Sequence, residues 1–152
     1  MSKVNFDELL TATVDSVLET MFFSFTDGPA EPEIGSEVLE SRLAFQGCPS
    51  GTFGVCLSKS SARLLAAGFL GEDEETLTDS QTGQMVCELA NMLCGSLLSK
   101  LQSDESFDLA SPVLVSCENE VISGPAANYA ARQSFEIEKG ILTATLHLEE
   151  IL

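Results

Sequence analysis

The stretch TDSQTGQMVCELANMLCGSLLSKL, Thr78 to Leu101, decides the fold. Thr78 and Gln81 stand three apart, the spacing at which two polar side chains cap a helix reciprocally. Apolar residues then recur at helical period as far as Leu101, so the segment reads as one long helix. At about 100° per residue, Met85, Val86, Leu89, Ala90, Leu93, Leu97 and Leu101 fall on one arc that should face a sheet. Gln84, Glu88, Asn91, Met92, Gly95 and Ser99 fall on the opposite side. Glu88 and Asn91 are three apart and so point from one patch. Two of their neighbours are unusual for a solvated face. Gly95 costs a helix interior roughly 1 kcal/mol relative to alanine, and it leaves room for another backbone to approach. Met92 is a flexible apolar side chain suited to an adaptable contact surface. The spacing permits a docking face, although geometry alone favours a solvated helix carrying an incidental glycine.

On the N-terminal side a second helix is announced by Asn5 as cap, Glu8 three residues on, and Val4 with Leu9 as a hydrophobic staple. Phe6, Leu9, Leu10, Val14, Val17, Leu18, Met21 and Phe25 recur at helical spacing, and Asp27-Gly28-Pro29 ends the run. Leu39, Ser41, Leu43 and Phe45 then alternate with Glu40, Arg42, Ala44 and Gln46, the period of a half-buried strand. Gly47 to Gly51 turns the chain, and Phe53, Val55 and Leu57 continue the alternation. A short helix from Ser60 to Phe69 carries Leu64, Leu65 and Phe69 inward, and Glu72 to Glu75 reads as a solvated loop.

Beyond the long helix, which Ser103 to Ser106 terminates, Pro112 leads into a strand at Val113–Val115. The stretch from Glu118 to Asn128 is ambiguous, with Gly124-Pro125 as a break and Ala126-Ala127 compatible with helix. Gln133 to Glu138 and Ile141 to Leu148 form a hairpin about Lys139-Gly140. The whole predicts one α+β domain over residues 1–152, an antiparallel-rich β-sheet with the long helix and the N-terminal helix packed on it.

The totals set further bounds. A chain of 152 residues with 44% hydrophobic content can build a single ordinary core. No run of about 18 apolar residues occurs, and Met1-Ser2-Lys3 leads at once into polar sequence, which predicts a soluble cytoplasmic protein. Acidic residues number 24 against 7 basic, for a formal charge of −17. Such a surface repels nucleic-acid phosphates and anionic membranes, so neither is expected as a partner.

Cys48, Cys56, Cys87, Cys94 and Cys117 form an odd set without a Cys-x-x-Cys pair, which signals neither a disulfide framework nor a zinc site. Cys87 and Cys94, seven apart, can lie near each other on the helix, but small buried hydrophobes are the role that burial statistics favour. His147, the sole histidine, lacks the companions of a metal site or a catalytic triad. No Gly-x-x-x-x-Gly-Lys run is present to cradle a nucleotide.

The run Glu88-Leu89-Ala90-Asn91-Met92-Leu93-Cys94-Gly95 resembles the Glu-x-x-Asn-Met-x-x-Gly signature of the CheX-like and CheC-like chemotaxis phosphatases. The order of elements follows that family across most of the chain. The resemblance implies a phosphatase that hydrolyses the aspartyl phosphate of a CheY-like response regulator. It gives Glu88 the role of docking a lysine of the regulator and Asn91 that of orienting the attacking water. Gln84, Met92 and Gly95 become residues of the partner-binding surface. Gln84 occupies a place that often holds aspartate or serine in the family. A single motif brings the chain nearer to CheX than to CheC, and CheX-like domains form homodimers. No cofactor of its own is implied, since the regulator carries the Mg²⁺. A module that binds a receiver or dimerises without catalysis is the alternative.

Overall fold

The computed structural model describes residues 5–21, 38–47, 50–101, 107–115, 131–137 and 140–148. Helix α1 (Phe6–Met21) starts as its sequence predicts. The Glu8 amide donates to Asn5 Oδ1 at 3.1 Å and the Leu9 amide to the Asn5 carbonyl at 3.0 Å. Leu10, Val14, Val17 and Leu18 form its buried stripe. The staple residue Val4, the predicted end of the helix with Phe25 and Asp27-Gly28-Pro29, and the stretches 102–106 and 118–128 lie outside the described residues.

Strand β1 (Val38–Gln46) pairs antiparallel with β2 (Gly51–Ser58), and β2 pairs with β6 (Gly140–Leu148). The hairpin partner of β6 is β5 (Ala131–Ile137), which begins two residues before the predicted Gln133. Two short strands, β3 (Asp108–Leu109) and β4 (Val113–Val115), lie end to end along the outer edge of β1. Among the described residues the sheet has six strands, in the order β3-β1-β2-β6-β5, with β4 also on β1. All its ladders are antiparallel. β3 went unpredicted because two residues are too short a run for alternation to register.

Alternation sends Leu43, Phe45, Phe53, Val55, Leu57, Leu142, Ala144 and Leu146 to one buried face. Glu40 departs from the pattern. It belongs to the polar side of β1 yet is only 4% exposed, and its Oε2 is paired with Arg42 Nε at 2.5 Å. A carboxylate this buried needs such a partner.

Helix α2 (Lys59–Leu70) is capped by Ser58, whose Oγ accepts from the Ser61 amide at 3.1 Å, and ends at Gly71 with φ 69°. Leu65 is buried, whereas Leu64 and Phe69 are only partly so. The acidic loop contains one 3-10 turn, Glu74–Thr76, and is otherwise exposed apart from Glu74. Helix α3 (Asp79–Leu101) crosses β1 and β2 and is flanked by α1 and α2. Being covered on three sides, it buries more than the predicted arc, adding Thr82, Gly83, Cys94 and Leu98, while Leu101 stays partly exposed. Among the described residues no helix is long and apolar enough to cross a membrane.

Candidate functional site

The start of α3 is fixed before any functional side chain appears. The Gln81 amide donates to Thr78 Oγ1 at 3.0 Å, and the Thr78 amide donates to Gln81 Oε1 at 2.9 Å. Asp79 suits the positive end of the helix dipole, and Lys59 Nζ of α2 approaches its Oδ1 to 3.5 Å. Arg63 reaches the same oxygen at 3.8 Å and also donates to the Glu74 carbonyl. α2, the acidic loop and the first turn of α3 are thereby tied together.

From that start the helix carries Gln84, Glu88, Asn91 and Gly95 along one stripe, at intervals of four, three and four residues. Gln84 and Glu88 are exposed; Asn91, Met92 and Gly95 are partly buried. Neither the Glu88 carboxylate nor the Asn91 carboxamide has a hydrogen-bond or ion-pair partner among the described residues. A Cβ built on Gly95 meets nothing within 4 Å, so this chain's own packing does not demand glycine there. Met92 differs from the expected free contact side chain, because part of it packs on the edge of the core.

The sequence did not reveal the second wall of the site. Ser80, Gly83, Gln84, Cys87, Glu88 and Asn91 line one side of a groove of about 660 Å³. Its other side is the segment joining β3 to β4, with Leu109, Ala110, Ser111, Pro112 and Leu114. The ladders to β1 and a 2.9 Å hydrogen bond from the Ala110 amide to the Ala44 carbonyl fix that segment. Only the strand signal at residues 113–115 pointed to it. Opposition to α3 arises from pairing across the chain, which local periodicity does not encode.

The cysteines separate by environment. Cys56, Cys87 and Cys94 are free thiols. Cys94 is fully buried, and desolvation pushes its thiol up to about 12, which leaves it inert near neutrality. Cys87 lines the groove, and its Sγ accepts from Ser41 Oγ at 3.4 Å. Cys48 and Cys117 lie outside the described residues. His147 sits in β6 opposite Thr52.

Among the described residues no cluster of three or more His, Cys, Asp or Glu side chains could hold a metal ion. Among the described residues Glu88 is the only carboxylate lining the groove, a donor set too poor for Mg²⁺, which prefers octahedral oxygen ligation. The groove instead offers an anion, the carboxamides of Gln84 and Asn91, and small or apolar neighbours. It can accept a charged hydrogen bond and orient a water molecule.

The family model described as chemotaxis phosphatase CheX matches residues 41–136, which include the whole of α3 and both groove walls. The chain belongs to the CheX family. Its fold is similar to that of chemotaxis protein CheX from Vibrio vulnificus (TM-score 0.77, 22% identity, 98% of this chain and 99% of that one). It is similar also to the Borrelia burgdorferi CheX-CheY-BeF₃-Mg²⁺ complex (TM-score 0.73, 20% identity, 97% and 100%). A chemotaxis protein CheX from Desulfovibrio desulfuricans gives a TM-score of 0.71 at 20% identity over 96% and 100%. No curated protein matches the sequence.

Proposed function

We propose that this chain accelerates hydrolysis of the aspartyl phosphate on a CheY-like response regulator. The observation that carries the reading is the stripe itself. Among the described residues Glu88 and Asn91 have no intramolecular partner, on a helix fixed on its other sides, in a groove open to a second protein. Membership of the family supports the reaction class. The Borrelia burgdorferi complex contains CheY and Mg²⁺, and by likeness we assign a receiver as partner and place the Mg²⁺ on it.

An acyl phosphate needs little from its catalyst. Water attacks phosphorus, the bond from phosphorus to the carboxyl oxygen breaks, and a carboxylate, inorganic phosphate and a proton are released. The leaving group is a weak base, so the gain lies in holding the water in line. The Asn91 carboxamide can accept from that water and donate to it or to the phosphoryl group. Glu88 docks a lysine of the receiver by a charge-assisted hydrogen bond and thereby places Asn91. Bound to the receiver, Mg²⁺ would neutralise phosphoryl charge. Gln84, Met92 and Gly95 frame the docking surface. One domain over residues 1–152, a cytoplasmic location and homodimerisation complete the proposal.

The test is the decay of a phosphorylated chemotaxis receiver with catalytic amounts of protein. Wild type should accelerate decay. Asn91→Ala should abolish the acceleration, by a factor of about 10² or more, while retaining much of the binding. Glu88→Ala should weaken binding as well. If wild type binds the receiver but leaves its decay unchanged, the chain is a docking module and not a phosphatase.

A further inference from the structure

Leu114 is one of the large apolar side chains left exposed among the described residues, at 49%, and it lies inside the groove that holds Glu88 and Asn91. Its place is set by two contacts. In the β1–β4 ladder it stands opposite Ser41, so both side chains emerge on the face that α3 covers. There Ser41 meets Cys87, and Leu114 meets Gly83 one helical turn earlier. A Cβ on Gly83 would stand 2.7 Å from Leu114 Cδ1, closer than two such atoms approach. Glycine at 83 therefore lets the leucine rest on bare helix backbone and turn its remaining surface to the groove. Gly83 is itself buried, and its helical backbone creates no need for glycine. The contact with Leu114 is what a methyl there would disturb, by pushing aside the end of a flexible side chain.

We propose that Leu114, seated on Gly83, is a specificity-determining contact for the receiver, meeting an apolar side chain on the rim of its phosphorylation site. This rests on the groove being the receiver-docking site. Whatever brings a phosphoryl group against Asn91 must enter between α3 and the β3–β4 segment, and Leu114 is the exposed leucine on that path. The charged and carboxamide side chains of the groove, Glu88, Gln84 and Asn91, stand on the opposite wall, while Leu114's own wall carries Leu109, Ala110 and Pro112 with the Ser111 hydroxyl. Charge pairing then governs one side of the docked receiver and apolar fit the other. Receivers sharing the lysine but carrying a polar group at the rim would be refused.

The test uses the full chain and a receiver activated with beryllofluoride and Mg²⁺, so that binding is read apart from turnover. Leu114→Ala should weaken binding by about fivefold or more. Its thermal midpoint should change little, and Leu114→Met should restore affinity. In steady-state dephosphorylation the loss should fall on KM and not on kcat. Gly83→Ala should also weaken binding, because its methyl displaces the leucine. In the Leu114→Ala background it should have no further effect. Wild-type affinity in Leu114→Ala, or additive losses in the double variant, would overturn the proposal. Turnover separates it from the reading beneath: an inactive wild type whose binding still depends on Leu114 refutes the phosphatase and leaves this contact standing. Binding of no receiver by wild type would refute both.

Discussion

Thr78 and Gln81 satisfy each other's backbone amides at the start of α3, each side-chain oxygen accepting from the other residue's N–H. Glu88 and Asn91 lie two to three turns beyond this capping box, so the cap fixes where the helix carrying them begins. Removing the hydroxyl leaves the Gln81 amide to water. Thr78→Ala should lower stability by about 1 kcal/mol in urea unfolding, and Thr78→Ser should recover most of it.

Gly95 gives a test in which stability and function move in opposite directions. Nothing among the described residues opposes a methyl there, so Gly95→Ala should stabilise the protein by up to about 1 kcal/mol and raise its thermal midpoint. If the partner's backbone approaches α3 at this point, the same methyl should weaken binding to the activated receiver. A stabilised variant with undiminished affinity would show that the partner stays clear of Gly95.

Cys94 predicts an alkaline limit to stability. Its thiol ionises near 9.0 when unperturbed, whereas burial in the fold holds it to about 12. Between those values the unfolded chain has given up the proton and the folded chain keeps it, so rising pH favours unfolding. The contribution is intact below about pH 9 and diminishes towards pH 12, with a limiting slope of about 1.4 kcal/mol per pH unit. Urea unfolding across this range should show a shallower decline for Cys94→Ala than for wild type. Equal slopes would mean that the thiol titrates normally in the fold.

What could be read in advance divides by the range of the interaction. The cap at Asn5, the capping box at Thr78, the inward alternation of Leu43, Phe45, Phe53 and Val55, and the buried arc of α3 all follow from neighbours within a few residues, and the structure contains each. The stripe from Gln84 to Gly95 was legible for the same reason. Burial of Glu40 and the groove wall at Leu109–Leu114 were not. Glu40 lies in β1 beside β4, and Leu114 reaches α3 only because β4 pairs with a strand some 70 positions earlier. Gly83 illustrates the boundary well: its sequence position marks a cost to the helix, but the leucine that rests on it belongs to a strand beyond the end of that helix.

The covering of α3 on three sides has a consequence for timing. A side chain presented by a loop loses its freedom when the partner arrives, and that entropy is subtracted from affinity. Glu88 and Asn91 instead have their backbone immobilised when the chain folds, through the burial of Leu89, Leu93 and Leu97 behind them. Encounter with the proposed receiver can then proceed as one nearly rigid body meeting another, and binding strength passes from ordering costs to the match between two surfaces.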